Sequence, residues 1–516
     1  MDRVTVVVLA GCQYALTVTN VHETKTSRPA IAIIGAGFGG LGMAIMLERA
    51  GFTDYTIFER ASDIGGVWRD NTYPGAGCDV PSPLYSYSFA PNRTWPRRYS
   101  LQPDILEYLR RTAKDAGVLD RVRLNTEVTG ADFDAAARKW RVETSDGETV
   151  EVDVLIPAVG QLSRPSVPDI PGAETFTGDA FHSARWRHDV DLRGKRVAVI
   201  GTGASAVQFV PQIQPEVARL AVFQRSAPYV IPKPDRTYRR WHHRMFRAFP
   251  GTQLAGRLGL WTAGELLTMA LTSVQAVGKL VELMFRTQLR VQIRDKELRA
   301  RLIPDYRAGC KRVLFSSNWF PTLTKSNVDL VTDPITGIAP NGVRTATGEH
   351  EVDVIIYGTG FKATEFLVPM RIRGIGGREL ADEWAEGAHA YYGISVPRFP
   401  NMFVVYGPNT NLGGNSIIYM MEHQFRYVLQ LVRELAAGRM SCVDVRGDVA
   451  GKFDAEVQQR LRTSVWATCR SWYRDESGRI STNWPGLVWE YHRRTRKVDL
   501  ADYRDLAPGD RPAAVQ

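Results

Sequence analysis

The sequence predicts an α/β protein with two nucleotide-binding units, each built on a parallel sheet. Three observations support this fold class. A short apolar strand, a glycine-rich turn and an apolar helix follow one another from residue 31, and the same order returns from residue 196. A second strand follows each helix and runs into a charged residue. This order is typical of Rossmann-like domains, in which the turn and the start of the helix bind a pyrophosphate.

The first turn reads G-A-G-F-G-G. Its first Gly permits a tight turn, its second lets the backbone approach a pyrophosphate, and its third lets the helix pack against the strand. The next strand ends at Glu59, whose carboxylate can accept hydrogen bonds from ribose hydroxyls and would repel a 2′-phosphate. This copy therefore predicts an FAD site. The turn residues assigned to it are Gly35, Gly37, Phe38 and Gly40.

The second turn reads G-T-G-A-S-A, and the strand after its helix leads to Arg225. An Arg at this place can pair with a 2′-phosphate, and Ser226 can add a hydroxyl donor. The alternative reading of Arg225 is a solvated charge at the end of a strand. The acidic Glu59 in the first copy and the basic Arg225 in the second predict FAD in the first unit and NADPH in the second. The other residues assigned to the second site are Gly201, Thr202, Gly203, Ser205, Ala206 and Gln208.

Two further segments, 153–160 and 353–360, share a pattern of Asp, apolar strand and Gly, and each follows a charged hairpin. We interpret them as crossings between the two units, so that the FAD-binding domain is discontinuous. The expected domains are an N-terminal extension at 1–27, a first part of the FAD-binding domain at 28–165, an NADP-binding domain at 166–340 with a helical insertion at about 235–305, and a second part of the FAD-binding domain with the C-terminal segment at 341–516.

Composition restricts the class of protein. Among 516 residues 44% are hydrophobic, which excludes a mainly disordered chain. The 5 Cys form no C-x-x-C pair, so a disulfide framework, a zinc site and a dithiol centre are not expected, and a reducing, cytoplasmic setting is predicted. The adjacent histidines His242 and His243 lack a third ligand, and no metal is expected. The apolar window 258–277 contains Glu265 near its middle, which opposes a transmembrane span.

The net charge of +10 fits an anionic partner, either nucleic acid, a membrane surface or a phosphorylated cofactor. No nucleic-acid motif occurs in the chain, and none of these partners is excluded by charge alone. The phosphorylated cofactor is the partner that the second glycine turn and Arg225 favour. A flavin-bearing protein that binds nucleic acid through its basic surface is the alternative from a different functional class.

The segment between the two turns carries the pattern F-x-G-x-x-x-H-x-x-x-W, from Phe176 to Trp186. With Gly65-Gly-Val-Trp68, Tyr73-Pro-Gly-Ala-Gly-Cys-Asp79 and Cys310-Lys-Arg312, this pattern resembles the Baeyer–Villiger monooxygenases, a branch of the flavin-containing monooxygenases. Arg187 departs from the Pro or Asp that closes the family's pattern. The resemblance implies that O2 and NADPH act through a C4a-peroxyflavin to convert a ketone into an ester or lactone. Oxygenation at nitrogen or sulfur by the hydroperoxyflavin is the alternative.

The same resemblance implies roles for individual residues. Arg312 would be the catalytic cation beside the flavin, and Asp79 would orient it. Lys311 would help to hold NADP. His182 and Trp186 would belong to a linker that couples NADP binding to domain rotation. The remaining residues expected to contact FAD are Gly66, Val67, Trp68, Asp79, Tyr85, Val128 and Gly160.

Overall fold

The computed structural model describes residues 28–273, 275–469, 471–475 and 477–506, so the predicted extension at 1–27 lies outside the described residues. The strands are β1 (Ile31–Ile34), β2 (Tyr55–Phe58), β3 (Val122–Arg123), β4 (Val128–Asp134), β5 (Lys139–Thr144), β6 (Thr149–Val152), β7 (Val154–Pro157), β8 (Asp179–His182), β9 (Arg196–Ile200), β10 (Arg219–Phe223), β11 (Val230–Ile231), β12 (Leu314–Phe315), β13 (Val328–Val331), β14 (Ile335–Ala339), β15 (Gly342–Thr345), β16 (Gly348–Glu351), β17 (Val354–Tyr357), β18 (Arg371–Arg373), β19 (Val443–Val445) and β20 (Tyr503–Asp505).

The α-helices connect or cover these strands. They are α1 (Phe38–Arg49), α2 (Val67–Asp70), α3 (Gln102–Asp115), α4 (Ala204–Ile213), α5 (Arg240–Ala248), α6 (Pro250–Ser273), α7 (Gln275–Gln292), α8 (Lys296–Arg301), α9 (Trp319–Leu323), α10 (Leu380–Glu383), α11 (Ile417–Ala436), α12 (Gly447–Arg462) and α13 (Val488–Thr495).

The first sheet has the strand order β3-β2-β1-β7, and its strand pairs are parallel. Every residue of β1 and β7 is buried, which explains why both read as continuous apolar runs. The chain returns to this sheet late, because Phe403 and Val405 donate backbone hydrogen bonds to Leu155 and Pro157 of β7. The first sheet is thus contacted by two stretches of the chain that are far apart in sequence.

The second sheet has the order β13-β10-β9-β17-β8, again with parallel pairs. Here β9, α4 and β10 repeat the strand, turn and helix arrangement of β1, α1 and β2. β17 pairs with β9 as β7 pairs with β1. The α/β fold with two parallel sheets is therefore confirmed.

The domain boundary predicted at residue 340 is too early. Strand β17 completes the second sheet, and the chain rejoins the first sheet only near residue 402. The two crossing segments share one sequence pattern, but each pairs with the first strand of its own unit. The hairpins ahead of them form separate antiparallel ribbons, β4-β5-β6 and β14-β15-β16.

Helices α5 to α8 lie between β11 and β12 in the chain, and together they contact both units. Phe285 and Leu289 of α7 are buried in the core of the second unit. Arg257 of α6 donates to the Pro83 carbonyl at 2.6 Å. Glu265, also on α6, is buried and accepts hydrogen bonds from Asn415 Nδ2 and from the backbone N–H groups of the 488–489 segment. In the part of the chain that the structure describes, no helix is long and apolar enough to cross a bilayer.

Candidate active site

A cavity of about 610 Å³ lies between the two units, and most of the predicted residues line it. At one end it meets β1, β2 and β4, and at the other it meets the start of α4, helix α6 and the segment around Arg312. The predicted residues in its wall are Gly35, Gly37, Phe38, Glu59, Gly66, Val67, Trp68, Asp79, Tyr85, Val128, Gly160, Ser205, Gln208 and Arg312.

Two glycines of the first turn, Gly35 and Gly40, lie too close to other backbone atoms to accept a side chain. Gly35 has a φ of +102°, in the region that favours Gly. A Cβ on Gly40 would lie 1.8 Å from the Gly35 carbonyl oxygen, so α1 can begin here only because residue 40 has none. Gly37 and Gly66 face each other, and a Cβ on Gly66 would lie 3.2 Å from the Gly37 Cα. The turn thus leaves an open cradle at the start of α1.

Glu59 is fixed at the end of β2. Its side chain accepts hydrogen bonds from the backbone N–H groups of Ala36 at 2.9 Å and Ala61 at 3.0 Å. Arg69 Nη1 lies 2.9 Å from Glu59 Oε1, a contact that sequence reasoning missed. Arg69 follows the predicted segment 65–68 directly, but no spacing rule relates it to Glu59. These contacts hold the carboxylate in place although it is only 5% exposed.

Aromatic side chains form the wall beside the turn. Trp68 Nε1 donates to the Tyr85 hydroxyl at 3.1 Å, and the Phe38 ring meets the Tyr85 ring edge-on with centroids 5.2 Å apart. Burial raises the pKa of the Tyr85 phenol, so this group stays neutral and serves as a hydrogen-bonding group. The structure therefore brings these three predicted residues together at the cavity wall.

The second turn is as closely packed as the first at its first glycine. Gly201 has a φ of +107°, and a Cβ on it would lie 2.6 Å from the Gly358 carbonyl oxygen. Gly203 precedes α4, which contains Ala206. Thr202 Oγ1 donates to the Ser226 carbonyl at 3.2 Å. The second unit thus places the end of β10 beside its glycine turn.

Two cations stand at this edge. Arg225 is exposed, and Lys311 Nζ donates to Ser226 Oγ at 2.9 Å. Burial, with the nearby charge of Arg225, lowers the pKa of the Lys311 ammonium. These two residues and Ser226 lie near one another, outside the wall of the main cavity.

Gln208 of α4 connects the two units. Its Oε1 accepts from the Tyr73 hydroxyl at 2.9 Å, and its Nε2 donates to the Gly77 carbonyl at 2.9 Å. Tyr73 and Gly77 belong to the loop that ends at Asp79. The loop that carries the predicted acid is therefore tied to the helix of the second glycine turn.

Asp79 lies between two cations. Its Oδ2 is 3.5 Å from Arg312 Nη2, and its Oδ1 is 3.3 Å from Lys233 Nζ. The Arg312 side chain is 43% exposed. Desolvation by the protein around it would lower its pKa, but the Asp79 carboxylate and nearby phenols raise it. Lys233 was not predicted, because its place beside Asp79 depends on a contact 154 residues apart in sequence. One carboxylate between two cations leaves a net positive charge in this cluster.

The sequence predicts no disulfide framework, but the structure contains a disulfide. Cys310 and Cys469 are bonded, with their Cα atoms 6.1 Å apart, whereas Cys78 and Cys442 are free and buried. The pair is separated by 159 residues, so only the fold brings it together. The bond joins the segment of Arg312 to that of Tyr473, and both of these side chains line the cavity.

The linker residues lie outside the cavity wall. His182 ends β8, where Nδ1 accepts from the Ala184 N–H at 3.1 Å, and burial lowers its pKa. Trp186 packs against Phe181 and Phe209, with ring centroids 5.3 Å apart in each case. The Phe176–Trp186 segment thus includes β8, the edge strand of the second sheet, and belongs to the second unit rather than to a linker between the units.

Comparison with known proteins identifies the family. Residues 32–242 match the family model described as pyridine nucleotide-disulphide oxidoreductase. A protein from Streptomyces coelicolor named Baeyer–Villiger monooxygenase is 45% identical over 96% of this chain and 95% of its own length. A protein of the same name from Pseudomonas aeruginosa is 42% identical, over 92% of this chain and 90% of its own. The chain belongs to the Baeyer–Villiger monooxygenases. It is a flavoprotein monooxygenase.

Solved structures agree with this family. An oxidised steroid monooxygenase bound to NADP matches with a TM-score of 0.84 at 30% identity, covering 93% of this chain and 99% of that one. The enzyme OTEMO in complex with FAD and NADP also gives a TM-score of 0.84, at 27% identity over 93% of this chain and 100% of that one. The two-unit architecture is thus that of Baeyer–Villiger monooxygenases.

Proposed function

We propose that this enzyme uses FAD, NADPH and O2 to insert one oxygen atom next to a ketone carbonyl, giving an ester or lactone. The observation that carries the proposal is the placement of Arg312 and Asp79 at the wall of the cavity that reaches the first glycine turn. Membership of the family and the FAD and NADP complexes of the relatives support it.

The first unit fits FAD. Gly37 and Gly66 carry no side chains and line the cavity, which leaves the backbone at the start of α1 accessible to a ligand. The start of α1 offers unpaired N–H groups to a pyrophosphate, and Glu59 is held where it can accept ribose hydroxyls. Trp68, Tyr85 and Val128 also line the end of the cavity that reaches the first unit. When bound, FAD supplies the activated oxygen for the reaction.

The second unit fits NADPH. Thr202, Gly203 and Ser205 stand at the start of α4, where a pyrophosphate is favoured. Arg225, Ser226 and Lys311 supply two positive charges and a hydroxyl near the strand end, which suits a 2′-phosphate. NADPH is the source of reducing equivalents for the flavin.

Arg312 then has a specific electrostatic task. Attack on a ketone carbonyl places negative charge on oxygen, and a guanidinium that cannot lose its proton stabilises such charge at any pH of interest. Asp79 orients Arg312, while Lys233 offsets the charge of Asp79 so that this cluster stays positive. Apolar side chains of α6, Leu260 and Leu267, line the same cavity and exclude water.

We place the enzyme in the cytoplasm, where NADPH is available. The Cys310–Cys469 bond is evidence against this location, since disulfides are rare in reducing compartments.

The test is the Arg312→Ala variant assayed with a ketone and with a thioether. We expect ketone oxygenation to fall by about 10²- to 10³-fold, the usual effect of removing one stabilising donor. Sulfur oxygenation and flavin content should change little, because neither requires a stabilised anion. Arg433→Ala, at an exposed position on α11, is the control. Full ketone oxygenation by Arg312→Ala would show that the assigned role is wrong, and a wild-type enzyme that oxidises only the thioether would favour heteroatom oxygenation.

A further inference from the structure

The exposed apolar side chains are concentrated on the helical insertion. More than half of the large apolar side chains that the structure exposes lie between Trp241 and Val291. Phe249, between α5 and α6, is 67% exposed, and Leu254 and Leu258 on α6 are 59% and 60% exposed. Single exposed apolar residues are ordinary, but a concentration on consecutive helices marks an interaction surface.

The exposed face of α6 carries no charge in its described part. Leu254, Leu258 and Leu266 recur at helical spacing on that face. Both charged residues of the described part, Arg257 and Glu265, point inward and are hydrogen-bonded within the protein. The outward face of this helix is therefore apolar although it meets solvent.

Helix α7 continues this pattern. Leu280, Leu283, Met284 and Val291 are exposed and fall on one stripe of the helix. The stripe and the inward face with Phe285 are distinct, so packing on the second unit does not explain the exposed residues.

Basic residues border the apolar face. Arg244 and Arg247 of α5, and Arg286 and Arg290 of α7, are exposed. Within the described residues none of these four has a carboxylate at ion-pair distance. Between residues 236 and 294 the sequence holds only two acidic residues, Glu265 and Glu282. Much of the positive charge of the chain is thus placed around apolar side chains.

We propose that helices α5 to α7 bind the surface of an anionic lipid bilayer. An apolar helix face with a basic border is the pattern of interfacial helices, in which apolar residues enter the headgroup region and cations meet acidic lipids. A second copy of the chain is a poorer occupant, because two such faces would bring like charges together. The protein lies on the membrane by this surface and does not span it. The proposal is independent of the substrate assigned above.

The experiment uses the full-length, flavin-loaded enzyme with two kinds of vesicle, one of phosphatidylcholine alone and one with equal parts phosphatidylglycerol. We expect flotation with the acidic vesicles, weak flotation with the neutral ones, and release at 0.5 M salt, where screening is strong. The double variant Leu254→Ser/Leu258→Ser should lower the partition coefficient about tenfold. Arg244→Glu/Arg247→Glu should lower it by about 25-fold or more, since each basic residue contributes about fivefold.

Matched controls are Val167→Ser, at a site that is 55% exposed outside the insertion, and Arg433→Glu on α11. Neither should change flotation. Flavin content and Tm show whether each variant is folded. The proposal fails if the wild-type enzyme does not float with acidic vesicles, or if the control and insertion variants float equally. It also fails if the wild type sediments as a dimer that the leucine variants dissociate while no lipid binding occurs, because the face would then join two copies.

Discussion

The two glycine turns of this enzyme share one backbone plan but differ at their third position and in the residue that ends the following strand. In the first, Gly40 meets the Gly35 carbonyl so closely that no Cβ fits, and the partner acid Glu59 is buried and held by hydrogen bonds. In the second, Ala206 takes the place of Gly40 with its Cβ, and the partner cation Arg225 is exposed. We infer that the first turn is built to retain its ligand and the second to exchange it, as a resident flavin and a diffusing reductant require.

The largest effect is expected when the third position of the first turn, Gly40, receives the Ala that the second turn has there. Gly40→Ala places a Cβ 1.8 Å from a backbone oxygen, so α1 must move away from β1. We expect a loss of stability of about 3 kcal/mol or more and loss of bound flavin. Tm and the ratio of flavin to protein absorbance after gel filtration measure both effects.

The matched control is the reverse exchange, Ala206→Gly. It removes a Cβ from the first turn of a helix and should cost about 1 kcal/mol through helix propensity alone, with flavin retained. A Gly40→Ala enzyme with full flavin content would contradict the claim that the first turn depends on its close approach.

A smaller effect is expected from the partner residue of the second turn. Arg225→Ala should raise the KM for NADPH roughly 10- to 100-fold, because a hydrogen bond to a charged group contributes about 1.5–3 kcal/mol. The KM for NADH, which has no 2′-phosphate, should stay within about twofold. Steady-state assays with both reductants test this, with Arg433→Ala as the control. Equal changes for the two reductants would mean that Arg225 acts on the fold and not on the phosphate.

The sequence was sufficient for the parts of this comparison that are local. Each strand, turn and helix is contiguous, so Gly35, Glu59 and Gly201 could be placed from spacing alone. The sequence could not show which sheet residues 354–357 join. Segments 153–160 and 353–360 have the same pattern, and only long-range strand pairing distinguishes them. The roles of Asp79 and Arg312 came from the family resemblance and not from spacing.

Contacts between distant segments could not be predicted from the sequence, for the same reason. Lys233 beside Asp79 and the Cys310–Cys469 bond each join segments more than 150 residues apart. No periodicity or motif encodes such a pair, because the pairing depends on how the two units and the insertion meet. Arg69, which binds Glu59, is close in sequence, but its partner is decided by the path of the loop after β2.

The smallest expected difference between the FAD and NADPH sites is in how ligand binding responds to pH, because the NADPH site includes the titratable ammonium group of Lys311. Burial and the charge of Arg225 lower the pKa of Lys311, so its positive charge is present at low pH and lost, as pH rises, earlier than for an ordinary lysine. NADPH affinity should therefore fall severalfold in the alkaline range while flavin retention stays constant. Lys311→Arg should abolish this fall, because a guanidinium keeps its proton. Arg225→Ala removes a neighbouring positive charge and should move the fall to higher pH. The KM for NADPH as a function of pH in the three proteins decides the matter: an unchanged fall in Lys311→Arg would assign the titration to another group.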